Sequence, residues 1–394
     1  MNEKIVLEQV NEGKVKILIP KSPLTNKALV FYNPVMELSR DLTIVAAEAY
    51  IKLSNCKDFS ACDALAASGI KGIRLAIEVE NVKKKRIILN DVYPLAYRII
   101  IRNIKENNVE NFCEAFNMDA NMLLSLYASP KNRFTFIDLD PFGSPAPFLD
   151  SALRALKSGG LLSLTATDTA PLCGVHVYTT FRRYNGFPLR TEYCHEIAIR
   201  LLIGCLVFSA AKHDIGVKPV FSYATNHYIK VYALCYYGAS LANEAIKKLG
   251  LIAHCFNCFN RMCFQKFFNL PVECEFCKGK LSYAGPLWIK EINDKKFCEE
   301  MLEELKFKKF KLKQKEEKLL IKIIDEAEAP PTYYVIDKIC DKLNLRSIKV
   351  EEVILKLKQK GFLAFKTHFK GSGVKTNASI NDLKNVLKEL SNKV

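Results

Sequence analysis

The chain has 394 residues, 49% of them apolar and 25% charged, with fourteen cysteines and a net charge of +16. Such a length predicts two or three domains with real cores; no stretch approaches the roughly 20 apolar residues of a membrane span, and the first thirty residues lack the basic start and apolar run of a signal peptide. The expectation is a soluble, cytoplasmic protein with no membrane partner and no obligate protein partner, whose cysteines serve as metal ligands and small core residues because a reducing cytosol disfavours disulfides.

Residues 41–54, DLTIVAAEAYIKLS, carry apolar residues at helical spacing. KDFSACDALAASGIKGIRLAIEV then predicts a short strand, an acid, a small-residue turn and a helix. RIILNDVYPLAYRIIIRNIKENN repeats the scheme, with a strand ending at Asp91 and a helix from about Pro94. ENFCEAFNMDANMLLSL ends another extended piece at Asp119, and FTFIDLDPFGSPAPFLDSALRALKSGG with the strand LLSLTAT follows. This alternation predicts an α/β fold, a parallel sheet with helices on both faces. Ligands of such sheets sit beyond the carboxyl ends of the strands, where these acids lie. VKPVFSYATNHYIKVYALCYY predicts two more strands, joined as a hairpin at one side of the sheet.

Each acid has a chemistry available to it. Asp91 follows Asp63 by 28 residues, one strand–helix unit, and an acid at the end of the second strand can accept from both hydroxyls of a ribose. Asp119 can accept from the exocyclic amine of adenine, while the Ala120 amide donates to the ring. These residues point to an adenosine-containing cofactor. A dinucleotide would need G-x-G-x-x-G to seat its pyrophosphate, and AASGIKG offers only Gly69 and Gly72. That absence favours S-adenosyl-L-methionine. Arg40 and Arg74 are candidates for its methionine carboxylate, which a guanidinium grips with two parallel bonds. The plainer alternatives are that the three acids are helix N-caps and that the arginines form surface ion pairs.

Asp-Pro-Phe-Gly at 140–143 is a variant of the Asp/Asn-Pro-Pro-aromatic stretch that many enzymes methylating exocyclic amines carry at the end of the fourth strand. An arylamine is a poor nucleophile because its lone pair is spread into the ring. A carboxylate and a backbone carbonyl can accept its two hydrogens and aim the lone pair. Pro141 would fix the turn and Phe142 would stack on the base. Asp140 is the expected catalytic residue; Asp138 has the weaker claim and can simply support the turn. An ordinary strand-end turn is the alternative.

The second half begins near residue 250. HCFNCFNRMCFQKFFNLPVECEFCKGKL holds the pair Cys255 and Cys258 and the pair Cys274 and Cys277 with fifteen residues between the pairs, the spacing of a closed, structural four-cysteine Zn2+ site. Cys263 lies between the pairs and competes for a ligand position. Residues 296–322 predict a highly charged helix with a solvated face. PPTYYVIDKICDKLNLRSIKVEEVILKLKQKGFLAFKTHFKGSGVKT predicts helix, turn, helix and hairpin, a winged-helix-like order with a basic tip of Lys366, His368, Lys370 and Lys375 suited to phosphate. The net charge likewise fits a polyanionic partner, or else lysine-rich surface helices.

FYNPVMELSRDLTI, DALAASGIKGIR, LNDVYPLA, DLDPFGSPAPFLDSALRALKSGGLLSLTATDTAPLCG and FKGSGVKTNA together resemble the archaeal and eukaryotic tRNA guanine-26 N2-dimethyltransferases, across nearly the whole chain. The resemblance implies a Rossmann-like S-adenosyl-L-methionine-dependent methyltransferase domain, drawn at 1–249, and a C-terminal α+β domain at 250–394 that holds zinc and binds tRNA. It implies transfer of one or two methyl groups to the N2 amine of guanine 26, with Arg40, Arg74, Asp91, Asp119 and Ala120 on the cofactor, Asp140 catalytic and Phe31 lining the base pocket. Two other classes stay open on the residues alone: an amino methyltransferase acting on another RNA or DNA, and a non-catalytic nucleic-acid binder built from the zinc site and winged helix.

Overall fold

The computed structural model describes residues 6–21, 30, 32–225 and 227–392. A hairpin of β1 (Leu7–Glu12) and β2 (Val15–Pro20) precedes α1 (Glu37–Ser54). Strand and helix then alternate through β3 (Asp58–Asp63), α2 (Ile70–Glu78), β4 (Lys84–Asn90), α3 (Pro94–Glu106), β5 (Cys113–Phe116), α4 (Ala120–Leu126), β6 (Phe134–Leu139), α5 (Leu149–Ala155) and β7 (Leu156–Ala166). Three helices, α6 (Thr169–Leu172), α7 (Val177–Tyr184) and α8 (Cys194–Ala211), lead to the hairpin of β8 (Ile215–Ala224) and β9 (Ile229–Tyr237), and α9 (Ala239–Ile246) follows.

Seven strands form one sheet in the order β5-β4-β3-β6-β7-β9-β8. The five from β5 to β7 are parallel, and β9 and β8 add antiparallel at one edge, as the sequence predicts. Every residue of β6 is buried, which explains its nearly unbroken apolar run: a central parallel strand is covered on both faces. Asp138 is the one charged residue in that run, and it sits opposite Asp63 of β3 and Ser163 of β7. α8 is apolar on nearly every side because most of it is buried, with Glu196 and Arg200 paired to each other near its start. It is also the one described helix long and apolar enough to cross a membrane, and it lies in the core.

The second half adds β10 (Leu249–Cys255), β11 (Arg261–Phe264) and β12 (Leu281–Trp288) as a small sheet, then α10 (Lys295–Lys306) and α11 (Lys313–Glu326). A winged-helix-like unit closes the chain: β13 (Tyr334–Val335), α12 (Ile336–Lys342), α13 (Val350–Gln359), β14 (Ala364–Lys366), β15 (Gly373–Thr376) and α14 (Ile380–Ser391), with its own apolar core. Packing is continuous across residue 250. Leu249, Ile252, Ala284 and Leu287 share a core with α8, and Phe297, Met301, Leu320 and Ile323 of α10 and α11 share one with α1.

The contact of α11 with α1 contains two facing acids. Glu316 and Asp41 are buried; among the described residues neither Glu316 carboxyl oxygen nor Asp41 Oδ2 finds a hydrogen-bond donor. Burial, and then each other's charge, pushes Glu316 upward, and burial pushes Asp41 upward despite Arg74. A shared proton resolves the clash. A carboxyl raised on folding stabilises the fold at pH below its unfolded value and loses that contribution as pH climbs through the folded value. Glu316→Gln should therefore gain on the parent as pH rises from about 4.5 to 9, by on the order of 1 kcal/mol. Thermal melts of both proteins across that range read it; a difference that stays constant with pH would show that Glu316 does not titrate in the fold.

Candidate active site and metal centre

Beyond the carboxyl ends of β3, β4 and β6 lies a cleft of about 1620 Å³. That exceeds the roughly 300–1,000 Å³ of a single small-molecule pocket and leaves room for a cofactor and a nucleobase together. Its floor is the turn after β3. Ala66, Ala67 and Ser68 line the cleft, and the buried Ser68 hydroxyl has no hydrogen-bond partner among the described residues. Gly69 and Gly72 serve packing instead: a Cβ on Gly72 would stand 2.7 Å from the Leu89 side chain of β4. Small residues were expected here for close approach of a ligand; the glycines bring α2 down onto the sheet, and the alanines and Ser68 face the cleft.

The adjacent carboxylates are held by two buried lysines that sequence reading missed. Lys71 of α2 places Nζ 2.5 Å from Asp138 Oδ2 and 2.5 Å from Asp140 Oδ2. Lys230 of β9 donates to Asp138 Oδ1 at 2.9 Å and to Thr165 Oγ1 at 2.8 Å, and Ser163 Oγ donates to Asp138 Oδ1 at 2.5 Å. Burial alone would raise Asp138; Lys230 and Lys71 outweigh it and hold the carboxyl well below its usual range. Asp140 is lowered by the same balance, Lys71 acting first. Among the described residues the Asp63 carboxyl accepts from the Gly72 amide alone, at 3.2 Å. Burial, with Asp138 and Asp140 adding to it, outweighs Lys71 and pushes Asp63 up to about 7. Asp138 thus anchors and neutralises the lysines, while Asp140 keeps Oδ1 without a bond to any described residue. A lysine inside the apolar strand IKVYALCYY was the signal for Lys230; Lys71 carried none beyond its place on an apolar helix face.

Pro141, Phe142 and Gly143 continue the cleft wall. The turn is tied to the end of β7, with the Gly143 amide donating to Thr167 Oγ1 at 2.6 Å and the Thr167 amide to the Gly143 carbonyl at 2.9 Å. Gly143 has φ +90, a conformation that suits glycine. The Phe142 ring is 66% exposed on this wall. Arg182, Lys212 and His227 give the mouth a basic rim.

The expected cofactor residues divide. Asp91 lines the cleft, and its oxygens accept from the Ala67 and Tyr93 amides at 2.9 Å each, leaving acceptor capacity for a ribose. Arg40 also lines the cleft. Its guanidinium pairs with Glu12 and the Asn33 carbonyl, so about one of its five N–H donors is left for a carboxylate. Arg74 does not face the cleft. It is 0% exposed, and its three nitrogens are taken by Glu12, Asp41 and Glu78, so the expectation that it holds a cofactor carboxylate is corrected. Asp119 caps α4 through the Asn121 and Met122 amides, the plainer alternative, and neither it nor Ala120 lines the cleft. They stand beside it: Asn117 donates to the Asp91 carbonyl at 2.8 Å, joining the ends of β4 and β5. Phe31 lies outside the described residues.

The four cysteines converge as the spacing predicts. Cys255 and Cys277 sulfurs are 3.4 Å apart, Cys258 and Cys274 3.5 Å, and all four lie within 4.8 Å of one another. Sulfurs around tetrahedral zinc, with bonds of about 2.3 Å, would be about 3.8 Å apart. Cys263 is not in the cluster, and His254 bonds Tyr193 instead. The expected basic tip of the wing is largely used up. Lys375 is buried against Glu196 and Glu326, the His368 ring pairs with Glu326, and Lys366 pairs with Glu351; only Lys370 is exposed with no ion pair among the described residues.

Fresh protein should carry about one zinc per chain, and Cys274→Ser should lose it together with several degrees of thermal stability, since structural zinc contributes directly to folding. Metal analysis and melting measure both; zinc-free parent protein with an unchanged melt would contradict the assignment.

Residues 12–388 match the family model described as N2,N2-dimethylguanosine tRNA methyltransferase. The chain is 38% identical to the tRNA (guanine(26)-N(2))-dimethyltransferase of Methanosphaera stadtmanae, over 97% of this chain and 96% of that one. It is 36% identical to the tRNA (guanine(26)-N(2)/guanine(27)-N(2))-dimethyltransferase of Aquifex aeolicus, over 98% and 96%. Among solved structures, Trm1 from Pyrococcus horikoshii with S-adenosyl-L-methionine superposes with a TM-score of 0.85 at 35% identity, covering 97% of this chain and all of that one. With this match and a cleft of the required size at the required strand ends, the chain belongs to the N2,N2-dimethylguanosine tRNA methyltransferase family.

Proposed function

We propose that this chain transfers one or two methyl groups from S-adenosyl-L-methionine to the exocyclic N2 amine of guanine 26 in tRNA. The observation that carries the reading is Asp140: a carboxyl with one oxygen on the Lys71 ammonium and the other without a bond to any described residue, on a pinned turn in the wall of a cleft that also contains Asp91.

When bound, S-adenosyl-L-methionine supplies an electrophilic methyl group. In this reading Asp91 accepts from its ribose, Ser68 and the Ala67 turn border it, and Arg40 offers its remaining N–H to the carboxylate. Asp119 and the Ala120 amide serve the adenine from beside the cleft, and Asp63 sits beneath the site. Phe142, with Phe31, offers an aromatic face to a guanine turned out of the tRNA stack. Asp140 Oδ1 accepts an N2 hydrogen, the Pro141 turn keeps that acceptor in place, and the nitrogen lone pair is turned away from the ring. Asp140 acts by accepting a hydrogen bond. Its proton affinity is held low by Lys71, so it takes up or passes on the amine proton only after transfer, when the nitrogen has become strongly acidic. A singly methylated amine still has one hydrogen for Oδ1, which permits the second transfer.

Asp140→Ala should lower single-turnover methylation of a G26 tRNA on the order of a hundredfold or more, and Asp140→Asn less, because its amide oxygen still accepts. Cofactor affinity should stay near the parent value in both. Rate measurement beside cofactor titration, with nucleoside mapping of the product, tests this. Methylation at a position other than 26, or near-parent rates in the alanine variant, would overturn the reading.

A further inference from the structure

The wing tip is not the only basic surface, and the charged segment before it has a use that its sequence does not reveal. Four lysines of that segment, Lys311, Lys315, Lys318 and Lys322, line a second groove of about 740 Å³ whose wall also includes Leu38 and Thr225. Lys315, Lys318 and Lys322, spaced three and four apart, share one face of α11, and Lys311 stands in the turn just before it. All four are exposed, and none is in an ion pair among the described residues; Glu37, outside the groove wall, is the acid that feels Lys311. No residue of the groove wall is acidic. The opposite face of α11 explains why this one is free: Glu316, Leu320 and Ile323 face the core. On α10, by contrast, Lys306 pairs with Glu303.

The groove abuts the cleft. Thr225 is in its wall and His227, across the β8–β9 turn, is in the wall of the cleft. Leu38 is in its wall, while Met36 and Arg40 on either side belong to the cleft. A strand entering the cleft with one nucleotide would thus pass over either divider onto the lysines. Lys315 to Lys322 covers about 10 Å of helix, the length over which a duplex strand presents about three phosphates, and Lys311 extends the row.

We propose that this lysine face is the docking track for the sugar-phosphate backbone of the tRNA whose guanine enters the cleft. The proposal rests on the function given above. It assigns the main electrostatic contact to α11 rather than to the wing, and it makes the contact independent of base identity, because an ammonium reads phosphate as a point charge.

The test replaces Lys311, Lys315, Lys318 and Lys322 with Ala in the full chain; as exposed, unpaired side chains they leave the core untouched. The control replaces Lys57, Lys83 and Lys84, exposed at the opposite end of the sheet. With an unmodified G26 tRNA transcript, the groove variant should bind at least about tenfold more weakly near 150 mM salt, and its log–log salt slope should fall by about three, at 0.7–0.9 per phosphate lost. S-adenosyl-L-methionine affinity, titrated without RNA, should be unchanged, and the control should bind tRNA like the parent. A groove variant that binds tRNA no worse than the control overturns the proposal even if the parent methylates G26. A parent that neither binds nor methylates the transcript overturns the functional reading, and this proposal with it.

Discussion

A single buried ammonium organises the reactive end of this molecule. Lys71 sits between Asp138 and Asp140, and two carboxylates this close cannot both stay ionised in a buried site without a cation. Its charge is secured in turn: burial would lower its proton affinity, but the three surrounding aspartates raise it. Removing one partner of such a buried pair typically costs about 3–5 kcal/mol, because the other charge is left uncompensated. The arrangement therefore serves position and charge state more than net stability. It keeps Asp140 ionised and keeps one oxygen fixed, so that the other has a defined direction.

The rest of the sheet can be understood from that requirement. Asp138 and Asp63 are side by side because β3 and β6 pair in register, and the second lysine has to come from across β7, on β9. The antiparallel edge hairpin is thus more than an addition to the sheet, since it delivers Lys230. The same buried-charge logic joins the two halves. Glu196 on α8 is held by Arg200 and by Lys375 of the wing, and accepts from the Thr332 amide. The winged unit is therefore fastened to the helix that runs through the catalytic core, with Lys375 turned inward to do it.

That inward turn marks where sequence reading reached its limit. The alternation of strands and helices, the acids at strand ends and the two cysteine pairs were legible because each is a local pattern with a fixed period or spacing. Whether a charged side chain points to solvent or to a buried partner is not local. Arg74 was read as a carboxylate binder and is enclosed by Glu12, Asp41 and Glu78, one of which lies on a hairpin more than sixty positions away. Lys375 was read as a phosphate contact and is enclosed by two glutamates. Asp119 caps α4 through Oδ1, a role its sequence position allows, and this cap leaves its other oxygen for the proposed adenine contact. The lysines of α11 are solvated as the charged segment predicts, but only packing shows that Glu316 takes the inner face and leaves the basic face open beside the cleft.

The central claim is that Asp140 directs the target amine as an ionised acceptor held by Lys71. The most direct measurement is a structure of the chain bound to G26 tRNA and S-adenosyl-L-homocysteine. The account predicts Asp140 Oδ1 about 2.6–3.2 Å from guanine N2, with Oδ2 still on Lys71. A guanine amine bonded to other groups, with Asp140 turned away from it, would contradict the account.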